Sequence, residues 1–289
     1  MKEGIVTKGI GGFYYVDCGN EILTCRAAGA IKAKKLRLAV GDRVEAESEG
    51  HGDYLITKIL PRKNLILRPY SANVSLGVIV CAVKQPQLNF TLLDKLIIDN
   101  ELKGVNTLLC ITKTDLADNA DIDKIALNYK NAVKELIFTS TVENFGINEM
   151  LSALNNNVCL LRGVSGAGKT SLLNAISPEM DRKTGELSKK IDRGKNTTRH
   201  SELIKLDENT FILDSPGFSD FDVPLSEENE LWKYYPEFFN YSDCRYPNCV
   251  HISEPGCEVK KALEEGLISK LRYENYLKIY DEIKKQRKY

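Results

Sequence analysis

The sequence predicts a multidomain α/β chain in three parts, and three observations carry that prediction. Short alternating segments broken by turn signals run to about residue 63. Continuous apolar runs interleaved with helical periodicity fill 64–223, and an aromatic, helical stretch holding a cysteine–histidine cluster occupies 224–289. With 289 residues, 43% hydrophobic and 28% charged, the chain can bury one large core and one or two small satellites. No opening stretch joins a basic flank to a long apolar run, and no window reaches the roughly 20 apolar residues that span a bilayer. The expectation is a cytoplasmic monomer without a membrane partner. Because 40 basic and 40 acidic residues cancel, a nucleic-acid partner must be sought in local patches. Two exist, one at Lys32, Lys34, Lys35 and Arg37, the other at Lys284, Lys285, Arg287 and Lys288. A merely solvated face is the plain alternative for each.

In the first part, 1–63, the strands are expected at Gly4–Ile10, Phe13–Asp17, Glu21–Arg26, Arg43–Glu49 and Asp53–Ile59. Gly11-Gly12, Gly19-Asn20, Gly41-Asp42 and Gly50-His51-Gly52 supply the turns. Five short strands with a longer basic connection near Lys32 fit an OB-like barrel, with an SH3-like barrel as the rival.

Buried parallel strands read as unbroken apolar runs, and the second part, 64–223, shows them alternating with helices. Strands are expected at Val74–Val83, Val105–Ile111, Leu136–Thr139 and Val158–Leu161, with helices at Phe90–Lys103 and Ile122–Lys134. Glu202–Leu206 and Thr210–Leu213, joined by Asp207-Glu208-Asn209, read as an edge hairpin. The third part, 224–289, ends in a charged amphipathic helix from about Ile268.

Gly163-Val164-Ser165-Gly166-Ala167-Gly168-Lys169-Thr170 matches the phosphate-loop pattern GxxxxGK[ST], with an apolar strand before it and a helix, Ser171–Ile176, after it. In such a loop backbone N–H groups and a helix N-terminus face phosphate oxygens. Lys169 is then expected to reach the β and γ phosphates, and the Thr170 hydroxyl to ligate Mg²⁺. Asp214-Ser215-Pro216-Gly217 ends a strand about 45 residues later, where Asp214 can hold the magnesium through water and Gly217 can donate its N–H to the γ-phosphate. Between them, Arg193 to His200 is a polar segment in which Thr197 and Thr198 can complete magnesium coordination, as a switch does. A solvated loop is the bland reading of that segment.

Thr112-Lys113-Thr114-Asp115 follows an apolar strand and resembles NKxD, the guanine-specificity motif. The Asp115 carboxylate can accept from the ring N–H and the exocyclic amine of guanine, a pair adenine lacks, while the Lys113 stem packs along the base. Ser140-Thr141, at the next strand end, is placed to bring backbone N–H groups to the guanine carbonyl. The ligands expected are GTP or GDP with Mg²⁺. These base motifs precede the phosphate loop, whereas ordinary GTPases carry them last, so the order is circularly permuted. Strand ends converge on the nucleotide whatever the chain order. The permutation runs the loop after Asp214 straight into the third part, so hydrolysis is expected to reposition 224–289.

Cys244, Cys249, His251 and Cys257 supply four soft or borderline ligands within fourteen residues, the complement of one closed structural Zn²⁺. Cys18, Cys25, Cys81, Cys110 and Cys159 stand singly in apolar contexts and read as reduced core residues.

With motif order, barrel and metal cluster assembled, the whole chain resembles the RsgA/YjeQ family of circularly permuted GTPases. The resemblance implies an N-terminal OB domain, a permuted P-loop GTPase domain and a C-terminal helical zinc-binding domain. It also implies GTP hydrolysis stimulated by the small ribosomal subunit, a part in late maturation of that subunit, and rRNA contacts from barrel and zinc domain. On it the phosphate loop falls on Gly163 to Ser171, the base motif on Thr112 to Asp115, and the zinc ligands on the four residues named. Two positions depart. Thr112 stands for the usual Asn, which is expected to weaken bonding between the loops, and Asn196 stands where the family places a His before the paired threonines. Phe218 follows DSPG, so the attacking water needs another organiser; Asn196 and His200 are the candidates, although His200 also suits a strand cap. Slow intrinsic turnover follows from this. The competing readings are an RNA-binding assembly factor that uses GTP only for occupancy and, more distantly, an ATP-dependent RNA remodeller.

Overall fold

The computed structural model describes residues 1–33, 36–50, 53–177, 202–215 and 221–286. Its residues cluster into two compact units, the first made of 1–77, 148–162 and 170–216, the second of 78–147, 163–169 and 217–289.

The first unit opens with β1 (Lys2–Ile10), β2 (Phe13–Asp17) and β3 (Ile22–Ala27), followed by a short helix, α1 (Gly29–Ala33), then β4 (Arg43–Gly50) and β5 (Asp53–Ile59). They close as a barrel in the order β1-β2-β3-β5-β4. Alternation drives this: in β3 every second residue, Leu23, Cys25 and Ala27, points inward and is buried with Val6, Val16, Val44, Ala46 and Ile56. The parallel pairing of β3 with β5 and the closure of β1 on β4 decide for the OB-like order over the SH3-like one. A hairpin of β6 (Leu65–Leu67) and β7 (Tyr70–Ala72), absent from the sequence reading, is pinned to the barrel. Ala72 N–H donates to Val40 O at 2.8 Å, and Arg62 forks onto the buried Asp42 carboxylate at 2.6 and 2.8 Å.

In the same unit lie β11 (Val158–Arg162), β13 (Phe211–Asp214) and β12 (Leu203–Lys205). β11 and β13 run parallel, and β12 turns back antiparallel as the edge. That edge meets the barrel where Lys8 bridges Glu202, and Lys205 reaches the nearly buried Asp17 carboxylate at 2.9 Å. Two helices also belong to this unit, α4 (Ile147–Leu154), which begins at its border and which the sequence reading passed over, and α5 (Lys169–Ile176).

The second unit carries β8 (Leu76–Ala82), β9 (Asn106–Thr112) and β10 (Glu135–Phe138) with α2 (Phe90–Leu102) and α3 (Asn119–Tyr129). β8 is buried at every position, the sign of a strand covered on both faces. Asn89 caps α2 by accepting the Leu92 N–H, and Asp118 closes a capping box on α3. Beyond residue 221 come two 3-10 helices (Glu228–Tyr234 and Pro236–Tyr241), then α6 (Glu258–Glu264) and α7 (Lys270–Gln286). Their core joins Leu231, Tyr235, Phe238, Val259, Tyr276 and Ile279 to Ile98 of α2. Among the described residues no helix is long and apolar enough to cross a membrane.

Candidate functional site

Each motif strand ends in a backbone arrangement that its residues alone permit. After β11 the chain turns at Gly163, where a Cβ would sit 2.2 Å from Val80 O, so only glycine lets the loop lie against β8. Val164 packs into the core, Ala167 is buried, and Ser165 and Gly166 are exposed. Gly168 adopts φ +90°, and a Cβ there would meet Thr112 Oγ1 at 3.3 Å. Lys169 folds back over the loop, its Nζ donating to Gly163 O at 2.8 Å and Val164 O at 3.1 Å. Those carbonyls hold the ammonium over the loop, the side on which phosphate oxygens bind in such a turn. Thr170 and Ser171 open α5 on exposed positions.

Within the second unit the base motif leans directly on that loop. Thr112, buried at the end of β9, donates its hydroxyl to Ala167 O at 2.6 Å. A link between the loops, expected to be weaker with threonine than with asparagine, is present: the shorter side chain spans the gap, because Gly168 lets the loop come close. Lys113 turns the chain with φ +60° and donates its amine to the Gln85 carbonyl. A 3-10 turn, Thr114–Leu116, follows, with Thr114 N–H donating to Thr139 O at 3.2 Å. Asp115 is exposed, and Ser140 donates its hydroxyl to Asp115 Oδ1 at 2.6 Å. Ser140 thus serves differently from expectation. Its N–H is taken by Phe145 O at 3.0 Å, so its contribution is to orient the aspartate, while Thr141 stays exposed beside it.

In the first unit, Asp214 ends β13 on an exposed position in register with Leu161, two residues before the phosphate loop starts. Ser215 pins the turn after it, donating both its hydroxyl (2.7 Å) and its N–H (3.2 Å) to Leu161 O. Gly217 and Phe218 lie outside the described residues, as do Asn196, Thr197, Thr198 and His200.

The cysteine–histidine cluster is assembled as one knot. The ligand atoms of Cys244, Cys249, His251 and Cys257 lie within 4.8 Å of one another. His251 Nδ1 stands 3.6, 3.5 and 3.4 Å from the sulfurs of Cys244, Cys249 and Cys257, and two of those sulfurs, on Cys244 and Cys257, are 3.9 Å apart. A tetrahedron with Zn–S about 2.3 Å and Zn–N about 2.0–2.1 Å has edges of roughly 3.8 and 3.5 Å, so this donor set fits that ion. Burial lowers the pKa of His251 and keeps its imidazole neutral, as a ligand must be. The supports around it were not evident in sequence. Tyr273 donates to His251 O at 2.6 Å and Tyr276 to Val250 O at 2.5 Å. Glu254 accepts the N–H groups of Val250, Ile252 and Ser253 at 2.8–3.0 Å, and these bonds hold its carboxyl below the usual range although burial opposes them. A glutamate inside a Ser-x-Pro-Gly turn was the available signal.

The five single cysteines are free thiols; burial pushes Cys81, Cys110 and Cys159 up to about 12 and Cys25 up to about 11. Of the basic patches, Arg37 lies with its guanidinium 4.2 Å from the Tyr70 ring centre and lines, with Ile10, Phe13 and Tyr14, an open cleft of about 400 Å³. Arg26 stands 4.9 Å over Phe13 on the same barrel. Lys284 and Lys285 are exposed at the end of α7, whereas Lys34, Lys35, Arg287 and Lys288 lie outside the described residues, as does the side chain of Lys32.

Comparison with known proteins agrees with this geometry. Residues 59–224 match the RsgA GTPase family and residues 3–56 the RsgA N-terminal domain. The small ribosomal subunit biogenesis GTPase RsgA of Alkaliphilus metalliredigens is 39% identical over 292 aligned positions that cover 100% of both chains. Among solved structures, YjeQ from Thermotoga maritima superposes with a TM-score of 0.84 at 32% identity, covering 98% of each chain. YloQ, described as a circularly permuted GTPase, gives 0.84 at 32% identity over 99% of this chain and 96% of its own. With phosphate loop, base motif and barrel matched end to end, the chain belongs to the RsgA GTPase family.

Proposed function

We propose that this chain is a Mg²⁺-dependent GTP hydrolase that binds the small ribosomal subunit, assists its late maturation, and turns over faster when bound to it. The observation that carries the reading is the 2.6 Å bond from Thr112 to Ala167, which joins a guanine-type motif to a phosphate loop inside one compact unit. Asp115, held by Ser140, is positioned to accept from the two guanine N–H donors. Lys169 exchanges its two loop carbonyls for β and γ phosphate oxygens, and the backbone of Gly163 to Lys169 with Thr170 and Ser171 cradles the rest. Thr170 and Asp214 are the residues that would hold the magnesium, which supplies neutralisation of the charge developing on the transferred phosphoryl group. Gly217 and Thr198 complete the γ-phosphate contacts, and Asn196 or His200 orients the attacking water. One Zn²⁺ on Cys244, Cys249, His251 and Cys257 is structural, since four protein ligands leave no open position.

We assign 1–63 to the RNA-binding barrel, 64–223 to the permuted GTPase domain and 224–289 to the zinc domain, with the chain acting as a cytoplasmic monomer. The Arg37–Tyr70 and Arg26–Phe13 pairs give the barrel flat cationic surfaces of the kind that stack on RNA bases. The test is single-turnover hydrolysis of labelled GTP with and without purified small subunits. Slow hydrolysis alone, raised at least ~10-fold by the subunit, is expected. Equal rates in both arms would leave an assembly factor that uses GTP for occupancy only.

A further inference from the structure

Among the described residues a buried charge cluster joins α7 to α2. Arg272 of α7 is fully buried and forks onto Glu237, Nε to Oε1 at 2.7 Å and Nη2 to Oε2 at 3.1 Å, while Nη1 lies 2.7 Å from Asp94 Oδ1 of α2. Asp94 also accepts the Tyr129 hydroxyl and the Asn275 amide, each at 2.8 Å, and Thr91 donates to Asn275 Oδ1 at 3.1 Å. Tyr235 covers one side of the guanidinium at 4.5 Å. The fork fixes α7 against the Pro236–Tyr241 helix, while the Asp94 ion pair and the Asn275 bonds to Asp94 and Thr91 tie α7 to α2.

At the same N-terminal end α2 meets the nucleotide motifs. The loop leading into it, Lys84 to Asn89, gives the Gln85 carbonyl to the Lys113 amine, and Pro86 stands 3.7 Å from where a Cβ on Gly166 would lie. One apolar cluster containing Leu92, Leu93, Leu96 and Tyr129 packs both Val164 of the phosphate loop and Leu271, the neighbour of Arg272. Both ends of this chain of contacts lie inside one compact unit.

We infer that Arg272 is a positioning residue for guanine-nucleotide binding: by gripping Asp94 it sets α2 and the Lys84–Asn89 loop, and through them Lys113 and the phosphate loop. This rests on the proposed nucleotide site and adds a line of control to it. Whatever binds the zinc-bearing surface and shifts α7 then alters how tightly nucleotide is held, without touching the nucleotide. The coupling is reciprocal, so bound nucleotide stiffens the seat of α7.

The experiment measures release of a fluorescent GDP analogue from the full chain by stopped flow, with melting temperature and zinc content as controls. Arg272→Met removes the fork while keeping bulk, and Asn275→Leu breaks a neighbouring bond between α2 and α7 should the first variant fold poorly. Each is expected to keep its zinc and to release the analogue at least ~5-fold faster. Tyr280→Phe, which removes a 2.8 Å bond to Asn229 in the same region but outside the cluster, is expected to release at the wild-type rate. Combining Asn275→Leu with Lys113→Met should give less than the product of the single effects, because both act through one loop. Folded, zinc-bearing variants that release within twofold of wild type, or a fully multiplicative double variant, overturn the inference. Wild-type chain that does not bind the analogue overturns the nucleotide site itself.

Discussion

A hydroxyl has one proton to give, and at Thr112 it goes to Ala167 O at 2.6 Å, the nearer of two acceptors, with Cys81 O at 3.3 Å. Thr112→Val keeps the shape and removes the donor, leaving that carbonyl short of a partner at a cost of about 1–3 kcal/mol. Since the bond joins base and phosphate loops, affinity for GTP and GDP should fall together by roughly tenfold, and Thr112→Ser should recover most of it. Titration with a fluorescent GDP analogue reads both; a valine variant that binds like wild type would show that the loops are held by something else. Motif residues such as Lys169 and Asp115 were legible in sequence because their chemistry is fixed by spacing to a glycine turn or a strand end. The reach of Thr112 was not, because it depends on how close Gly168 brings the loop, a tertiary distance no local pattern encodes. For the same reason Ser140 was assigned through its N–H, whereas the turn closing on Phe145 leaves the hydroxyl to act.

Elements with a long, clean period were readable almost to the residue. β3 alternates strictly, and β8 is unbroken apolar sequence, so pattern and burial coincide there. β6 and β7, at three residues each, carry too few repeats for a period to show, and α4 and the 3-10 helices before the metal cluster were passed over as well. The cluster itself was legible from ligand type alone, but its seat was not: Tyr273 and Tyr276 come from α7, more than twenty residues away. Metal and helix should therefore stand or fall together. Stripping the metal with a strong chelator, or replacing Cys257 by Ala, should abolish zinc retention and remove hydrogen-exchange protection from 244–257 and from α7, while β1–β5 keep theirs. Protection of α7 that survives metal loss would mean that the Arg272 cluster alone secures the helix.

Across the whole molecule, permutation changes what the nucleotide site is attached to. Sequence order led to the expectation that the loop after Asp214 moves 224–289, and residues 216–220 of that loop lie outside the described residues. The C-terminal helices meanwhile share a core with α2, so their attachment runs through a helix that sequence gave no reason to single out. Family membership was legible because it was read from motif order and ligand sets, whereas packing partners between distant segments do not announce themselves.

The bridge between Lys8 of the barrel and Glu202 before β12 has a consequence for cutting the chain apart. β12 is an edge of only three residues, and an uncovered edge offers free N–H and C=O groups to any passing strand. The barrel therefore acts as a shield against self-association in addition to any role on RNA. A fragment starting at residue 64 should scatter light and form larger species as its concentration rises, where the full chain elutes as one size. Replacing Lys205, whose N–H faces away from β13, with Pro in that fragment should suppress the effect by spoiling the edge as a template. A fragment that stays monodisperse without the substitution would relieve the barrel of that duty.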